Sequence, residues 1–220
     1  MNSNFQILVA TNEHIIFAKQ IAEEMASSAK ARGTGIAKRS AEYIASKISE
    51  GKAVISLDEN SEWAGFCYIE TWEHGKYVAN SGLIIAPQYR HSGLARKVKK
   101  RIFELSHEKY PNSKIFGLTT GLAVMKINSD LGYVPVTYSE LTNDDEFWKG
   151  CESCVNHPIL MSKGRKNCLC TAMLFDATKP QIKKEEHGHI SFLDYVRRSK
   201  FFKKFKLLQR MIFFILNANG

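Results

Sequence analysis

Six consecutive residues, Arg90-His91-Ser92-Gly93-Leu94-Ala95, carry the strongest signal for the fold of this 220-residue chain. An apolar run typical of a strand, Tyr77 to Ile85, precedes them, and apolar residues at helical spacing follow. A strand that enters a turn of small residues and then a helix directs several backbone N–H groups and the positive helix end toward one point, which suits a phosphate. An Arg-x-x-Gly-x-Ala string is also compatible with an ordinary tight turn. The segments on either side are therefore needed to distinguish a phosphate-binding turn from an ordinary one.

The neighbouring segments follow one order, β-α-α-β-β-β-α-β-α-β-β, without an internal repeat. Apolar periodicity and turn residues define each segment. The predicted elements are a strand at Phe5–Ala10, helices at Thr11–Lys30 and Ile36–Glu50, strands at Ala53–Leu57, Trp63–Ile69 and Tyr77–Ile85, a helix between Pro87 and Pro111, a strand at Lys114–Leu118, a helix at Gly121–Ser129, and a final strand pair at Val134–Ser139 and Asn167–Asp176.

With the turn in this context, and with Leu131-Gly132-Tyr133 after the last helix, the chain resembles the GNAT superfamily of acyl-CoA-dependent N-acyltransferases from about Phe5 to Asp176. The resemblance implies an α/β (α+β) fold, with a mixed and mostly antiparallel central sheet, helices on both faces, and splayed strands where the co-substrate acetyl-CoA, or another acyl-CoA, binds. It also implies direct attack of an amine on the thioester. The residues expected to bind the acyl-CoA are Leu83, Ile84, Ile85, Arg90, His91, Ser92, Gly93, Leu94, Ala95 and Arg96.

The general acid and base depart from the family pattern. Many members carry a Tyr three residues before the Leu of the Leu-Gly-Phe/Tyr element, where this chain has Asn128, which cannot donate a proton as an acid. Tyr133, Tyr138 or a water are the substitutes. Relatives often carry a Glu on the strand before the turn, where this chain has Asn80 and Ser81. Glu70 and His74 are therefore the candidate bases, with a solvated turn residue as the alternative for each.

The substrate is expected to contact the turn between the first two helices. Arg32, Lys38 and Arg39 lie there beside Gly33 and Gly35, and an arginine fork binds carboxylates. A solvated basic loop is the alternative. Several stretches, among them Gly117 to Asn128, resemble a bacterial GNAT group of the N-acetylglutamate synthase type linked to arginine biosynthesis. The resemblance implies transfer of an acetyl or succinyl group to a small amino acid such as glutamate, with Arg32, Arg39, Asn80 and Ser81 as substrate-binding residues, and the alternative acceptor is a protein or peptide amine.

Four cysteines form a second candidate site. Cys151-x-x-Cys154 and Cys168-x-Cys170 are separated by thirteen residues, and a Cys-x-Cys on a strand places both thiols on one face. Four thiolates predict a structural Zn²⁺ site that holds an insertion of about residues 143–170 to the last strand. Reduced thiols, a disulfide, a redox sensor, or His157 in place of one thiol are alternatives, and Cys67 is expected in the core. A zinc-ribbon nucleic-acid-binding module is the rival class, but acidic residues near the cysteines argue against nucleic acid.

Composition indicates a soluble globular protein, with 44% hydrophobic and 24% charged residues. The N-terminal segment has no signal-peptide pattern, and no run of apolar residues is long enough to span a bilayer. A cytoplasmic location is therefore expected. The net charge of +9 divides into +3 for residues 1–180 and +6 for residues 181–220, which hold nine basic and three acidic residues. We predict an acyltransferase domain at 1–178 and a basic amphipathic tail at 179–220. The tail is expected to bind the inner membrane face peripherally, with packing on the protein itself or on a partner, and disorder, as the alternatives.

Overall fold

The computed structural model describes residues 4–33 and 39–179, which form seven strands and six α-helices joined by short 3₁₀ turns. The order of these elements agrees with the predicted order up to the insertion. They are β1 Gln6–Val9, α1 Ala18–Arg32, α2 Ala41–Ser49, β2 Ala53–Leu57, β3 Trp63–Trp72, β4 Tyr77–Ile85, α3 Leu94–Lys109, β5 Lys114–Thr119, α4 Leu122–Asp130, β6 Val134–Val136, α5 Asp145–Lys149, α6 His157–Ser162 and β7 Thr171–Asp176.

The strands form one sheet in the order β1-β2-β3-β4-β5-β7-β6. Every neighbouring pair is antiparallel except β4 and β5, which run parallel. Consecutive strands that are joined by short turns pair antiparallel, whereas the parallel pair is connected through α3. The predicted mixed, mostly antiparallel sheet is confirmed.

Helices cover both faces of the sheet, as the alternating side chains of β3 show. Phe66 and Tyr68 pack with α1 and α2, whereas Cys67 and Ile69 pack with α3. Successive strand side chains point to opposite faces, so this assignment extends to the residues paired with them on β4. Cys67 is fully buried in the second cluster, as predicted for a core thiol.

The parallel pair opens soon after it begins. β4 and β5 pair only from Tyr77 opposite Lys114 to Ala79 opposite Phe116, although β4 continues to Ile85. A bulge at Gly82, where φ is +65°, shifts the register of β4 against β3. The six residues of β4 after Ala79 therefore present an edge that β5 does not cover, and the expected splay is present.

Some boundaries differ from the predictions. The helix expected from Thr11 begins with a 3₁₀ segment, Asn12–Phe17, and Thr11 caps the start of this segment through a capping box with His14. The second helix begins only at Ala41, since Ser40 is its N-cap and accepts from the Tyr43 N–H at 3.2 Å. The last strand pair is shorter than predicted, and the insertion holds α5 and α6. Cys168 and Cys170 lie in irregular backbone before β7 rather than on a strand.

Residues 180–220, which hold nearly all of the predicted basic tail, lie outside the described residues. Within the described part of the chain, the helices are all too short or too polar to cross a membrane.

Candidate active site

The turn that joins β4 to α3 is built from left-handed backbone. Gly93 is the N-cap of α3 with φ +81°, and His91 has φ +63°. A side chain at Gly93 would meet no atom within 4 Å, so glycine is required here by the backbone angle while the space above it stays open. Within the described residues, the backbone N–H groups of His91, Ser92, Gly93 and Ala95 have no hydrogen-bond acceptor. Four donors at the positive end of a 16-residue helix have the arrangement that favours an anion.

The side chains of this turn fix it to its neighbours. Arg90 donates from Nη2 to Glu24 Oε1 at 2.5 Å and to Ser28 Oγ at 2.8 Å, both on α1. Arg96 donates from Nη1 to Asp130 Oδ2 at 2.6 Å, at the end of α4. The two arginines expected to bind acyl-CoA therefore fix the turn to α1 and to α4.

The uncovered edge of β4 leads from this turn to the start of the opening. Ile84 and Ile85 are buried on opposite faces of the sheet, and Leu83 is partly exposed. Six residues of strand, Asn80 to Ile85, span about 20 Å. An extended ligand arm that lies along this edge would join the turn to the residues around Ala79.

Glu70 lies at that inner end. It pairs directly with Ala79, which is the last β4 residue paired to β5. Its side chain lies on the face of the sheet covered by α1 and α2. Glu70 Oε1 accepts from Arg39 Nη2 at 3.1 Å and from the Tyr43 hydroxyl. Arg39 also donates from Nε to the Tyr68 hydroxyl at 3.0 Å, and its guanidinium lies 4.9 Å from the centre of the Tyr43 ring.

These four groups form one sheltered polar cluster, which we call the Glu70 cluster: Arg39, Tyr43, Tyr68 and Glu70. The side chains of Arg39 and Glu70 are 18% and 11% exposed. Burial lowers the pKa of Arg39, but Tyr68 and Glu70 beside it outweigh burial and raise that pKa above its usual value. Burial, followed by Glu70, raises the pKa of both tyrosines, so Arg39 stays charged and the phenols stay protonated at neutral pH.

The other predicted substrate residues are divided between the two faces. Ser81 pairs with Tyr68 and is on the face of the Glu70 cluster, whereas Asn80 pairs with Ile69 and faces α3. Arg32 ends α1, and residues 34–38 after it lie outside the described residues. His74, the second candidate base, lies in an exposed turn and has a left-handed backbone.

Asn80 is held in a buried network beneath α3. Its Nδ2 donates to Ser106 Oγ at 2.7 Å, and its Oδ1 accepts from the Tyr133 hydroxyl at 2.9 Å. Burial raises the pKa of Tyr133 well above its usual value. Tyr133, expected as a general acid, is 2% exposed, and its hydroxyl donates a hydrogen bond to Asn80 Oδ1.

Asn128 lies on α4 against the start of the opening. Its Nδ2 is 3.7 Å from Met173 Sδ, and a side chain at Gly117 of β5 would contact that Nδ2 at 3.8 Å. Asn128 is 1% exposed, and its buried Oδ1 has no hydrogen-bond partner among the described residues. An unpaired buried acceptor is costly, so this oxygen is suited to accept from a bound ligand.

The four insertion cysteines line a small cavity of about 20 Å³. His157, Leu118 and Tyr138 also line it, and Tyr138 donates to the Cys170 carbonyl at 2.9 Å. Burial, followed by neighbouring thiols, raises the pKa of Cys151 to about 11 and of Cys170 to about 12. Among the described residues no group of three or more His, Cys, Asp or Glu has the arrangement of a metal site.

The cysteine cavity borders the Glu70 cluster. Gly150, which ends α5, lies so near Arg39 that a side chain on it would be 3.7 Å from Arg39 Nη2. The positive charge of Arg39 also opposes, in small part, the rise that burial causes in the pKa of Cys151. The insertion therefore forms one wall beside Arg39.

Solved structures of acetyltransferases are similar to this fold. N-acetylglutamate synthase from Neisseria gonorrhoeae, solved with coenzyme A and N-acetyl-glutamate, matches 80% of this chain with a TM-score of 0.56 and 18% identity. A putative acetyltransferase from Acinetobacter baylyi matches 81% with a TM-score of 0.55 and 15% identity. The ribosomal-protein-S18-alanine N-acetyltransferase from Escherichia coli matches 82% with a TM-score of 0.50 and 11% identity.

The chain has the GNAT fold. Its match corresponds to 36% of the Neisseria enzyme, but to 94% of the Acinetobacter protein and 98% of the Escherichia coli enzyme. No protein family model and no curated protein sequence matches the chain.

The sequence did not identify three residues near the candidate site, namely Tyr43, Tyr68 and Lys99. Tyr43 follows Arg39 by four residues, and Tyr68 precedes Glu70 by two on β3, so both share a side with a predicted residue. That spacing was the available signal for the tyrosines. Lys99 lies among other basic residues on α3 and has no distinguishing signal in the sequence.

Proposed function

We propose that this chain is an acyl-CoA-dependent N-acyltransferase. One observation carries the proposal: four unpaired backbone N–H groups at the start of α3 lie at one end of the uncovered edge of β4, and Glu70 lies at the other. The amides suit the pyrophosphate, the edge suits the pantetheine arm, and the thioester would then lie beside Glu70.

The reaction is direct transfer. The acceptor nitrogen forms a bond to the thioester carbonyl carbon, the C–S bond breaks, and CoA leaves as a thiolate. Glu70 accepts the proton of the amine, directly or through a water. Because Tyr133 donates within the core network, we assign protonation of the thiolate to water and the role of Tyr133 to holding Asn80.

The acceptor is a small amino acid, with glutamate as the first candidate. Arg39 supplies a positive charge in a sheltered site next to Glu70, so one amino acid could place its carboxylate beside Arg39 and its amine near Glu70. The Neisseria structure was solved with N-acetyl-glutamate, which supports this substrate class. The acyl donor is acetyl-CoA or succinyl-CoA.

Titration calorimetry tests the donor half of this proposal. CoA is expected to bind the full chain, and pantetheine, which lacks the pyrophosphate, is expected to bind about a hundredfold more weakly because it cannot use the α3 amides. Equal binding of CoA and pantetheine, or no binding of CoA, would contradict the proposed role of the turn.

A protein or peptide amine is the second candidate acceptor. It is favoured by the match to the Escherichia coli enzyme, which acts on ribosomal protein S18 and is covered over 98% of its length. Free amino acids and peptides with a free N-terminus, compared with the same donor, distinguish the two acceptors. The zinc-ribbon alternative does not fit the seven-stranded sheet.

A structural Zn²⁺ at the cysteine cavity is a separate proposal. It is supported by four thiols around one cavity and by the Asn156 N–H, which donates to Cys154 Sγ at 3.4 Å and would stabilise a thiolate. A metal would have to draw these thiols together and displace their protons. We expect about one zinc per chain in purified protein and loss of it in Cys170→Ser. Zinc far below one per chain would reject the site.

A further inference from the structure

Lys99 of α3 is a buried lysine on the inner side of the opening. Its side chain is 2% exposed, and its Nζ donates to the backbone carbonyl of Asn80 at 3.4 Å. The other groups that face it are the Tyr133 ring, 5.4 Å from Nζ to the ring centre, and the Cys67 thiol on β3. Among the described residues no carboxylate pairs with Lys99.

Burial of an ammonium group without a counter-ion is unfavourable. Burial lowers the pKa of Lys99 to about 8, and Cys67 opposes this only in part. An apolar residue at this position would pack at lower cost, so the contact with Asn80 has to be explained by something other than stability.

The carbonyl that Lys99 contacts is the first one of β4 without a partner on β5. The Lys114 N–H donates to the Lys76 carbonyl at 3.0 Å, which shows that alternate carbonyls of β4, at 76, 78 and 80, point toward β5. The parallel pairing ends at Ala79 and Phe116. If it continued by one step, the Asn80 carbonyl would accept from the N–H of Leu118.

Lys99 takes the place of that N–H. The side chain of Asn80 is also held toward α3, by Ser106 and Tyr133, so the residue is fixed on the α3 side by its backbone and its side chain. We infer that Lys99 is a positioning residue that occupies the Asn80 carbonyl, prevents β4 from pairing further with β5, and so keeps the strand opening accessible to acyl-CoA. The identity of the ligand rests on the proposed function, whereas the effect on strand pairing does not.

Lys99→Met tests this inference, with Lys100→Met on the exposed side of the same helix as the matched control. Three quantities are measured in the full chain: stability to urea, amide hydrogen exchange at Leu118, and CoA affinity. In Lys99→Met we expect higher stability, exchange at Leu118 slowed about tenfold as pairing extends, and CoA affinity weakened about tenfold because the opening narrows. Lys100→Met should match the wild type in all three.

The directions in which stability and amide exchange change together distinguish this role from simple packing. Lower stability together with faster exchange at Leu118 would show that Lys99 only packs, and the inference would be overturned. Unchanged exchange at Leu118 would overturn it even if CoA affinity fell. If the wild type itself does not bind CoA, the proposed function fails, while exchange at Leu118 still decides whether Lys99 limits the pairing.

Discussion

Glu70 and Arg39 were identified as separate candidates in the sequence and are joined by an ion pair in the structure. Glu70 lies 31 residues after Arg39 in the chain, so neither spacing nor periodicity could show that they meet. The contact arises because α2 covers the face of β3 from which Glu70 projects. The base and the carboxylate-binding group of the proposed reaction are therefore neighbours.

Replacement of Glu70 by Gln keeps the size of the side chain and removes its ability to accept a proton. We expect kcat to fall about a hundredfold, because general-base assistance contributes factors of this order, while CoA affinity stays unchanged. Steady-state kinetics and calorimetry measure the two quantities.

Glu62→Gln, in the exposed β2–β3 turn, is the control for Glu70→Gln and should retain wild-type kcat. A Glu70→Gln enzyme with wild-type kcat would remove Glu70 from the reaction and leave the base to another group.

Lys99 gives the stability of the protein a specific dependence on pH. Its pKa falls to about 8 in the folded chain, below the ordinary value of 10.5. Between these values the unfolded chain binds more protons, so this residue destabilises the fold fully below pH 8 and progressively less as the pH rises toward 10.5. The facing Cys67 and Tyr133 have raised pKa values, and Cys67 titrates only near 11.

The stability advantage of Lys99→Met over the wild type should therefore shrink as the pH rises from about 8 to 10. Urea unfolding of both proteins across this range measures the difference, in which the titration of the other cysteines cancels. An advantage that stays constant with pH would show that Lys99 does not titrate in this range.

At the scale of the elements, the turn before α3 depends on Gly93. Its φ of +81° costs an alanine about 1 kcal/mol, although nothing lies within 4 Å of the added carbon. In Gly93→Ala we expect this modest loss of stability together with weaker CoA binding, because the methyl group occupies the open space above the amides.

Gly164→Ala is the matched control for Gly93→Ala. Gly164 has φ +58° and equally open surroundings, but it lies in the insertion. Urea unfolding should give a similar loss of stability for both variants, and calorimetry should show weaker CoA binding for Gly93→Ala alone. Equal CoA binding by the two variants would show that the turn does not contact CoA.

Prediction succeeded best for strands that are apolar runs with clear turn residues at both ends. The bounds of β2 and β4 agree with the sequence prediction, since both are apolar runs closed by turn residues. The short helices α5 and α6 gave no periodic signal and were missed. The opening between β4 and β5 was expected only from the family resemblance, because it depends on where a parallel pairing stops and on the bulge at Gly82.

At the scale of the whole molecule, the net charge of +9 is unevenly distributed, with +3 in residues 1–180 and +6 in residues 181–220. We propose that residues 180–220 serve in docking to an anionic membrane surface rather than in catalysis. A chain that ends at residue 179 should therefore bind CoA as tightly as the full chain and lose flotation with anionic vesicles.

Neutral vesicles are the control in that experiment, and neither chain should float with them. Loss of CoA binding on truncation would show that the tail contributes to the site, and flotation of the truncated chain would place the membrane contact elsewhere.

The most direct test of acyl transfer is CoA release from acetyl-CoA and succinyl-CoA by the full chain, with free amino acids and peptides as acceptors and the products identified by mass. We expect release that depends on one acceptor class, with one N-acyl product formed per CoA, and loss of both in Glu70→Gln. The absence of release and of product with every acceptor, from a chain that binds CoA, would contradict the claim that this protein is an N-acyltransferase.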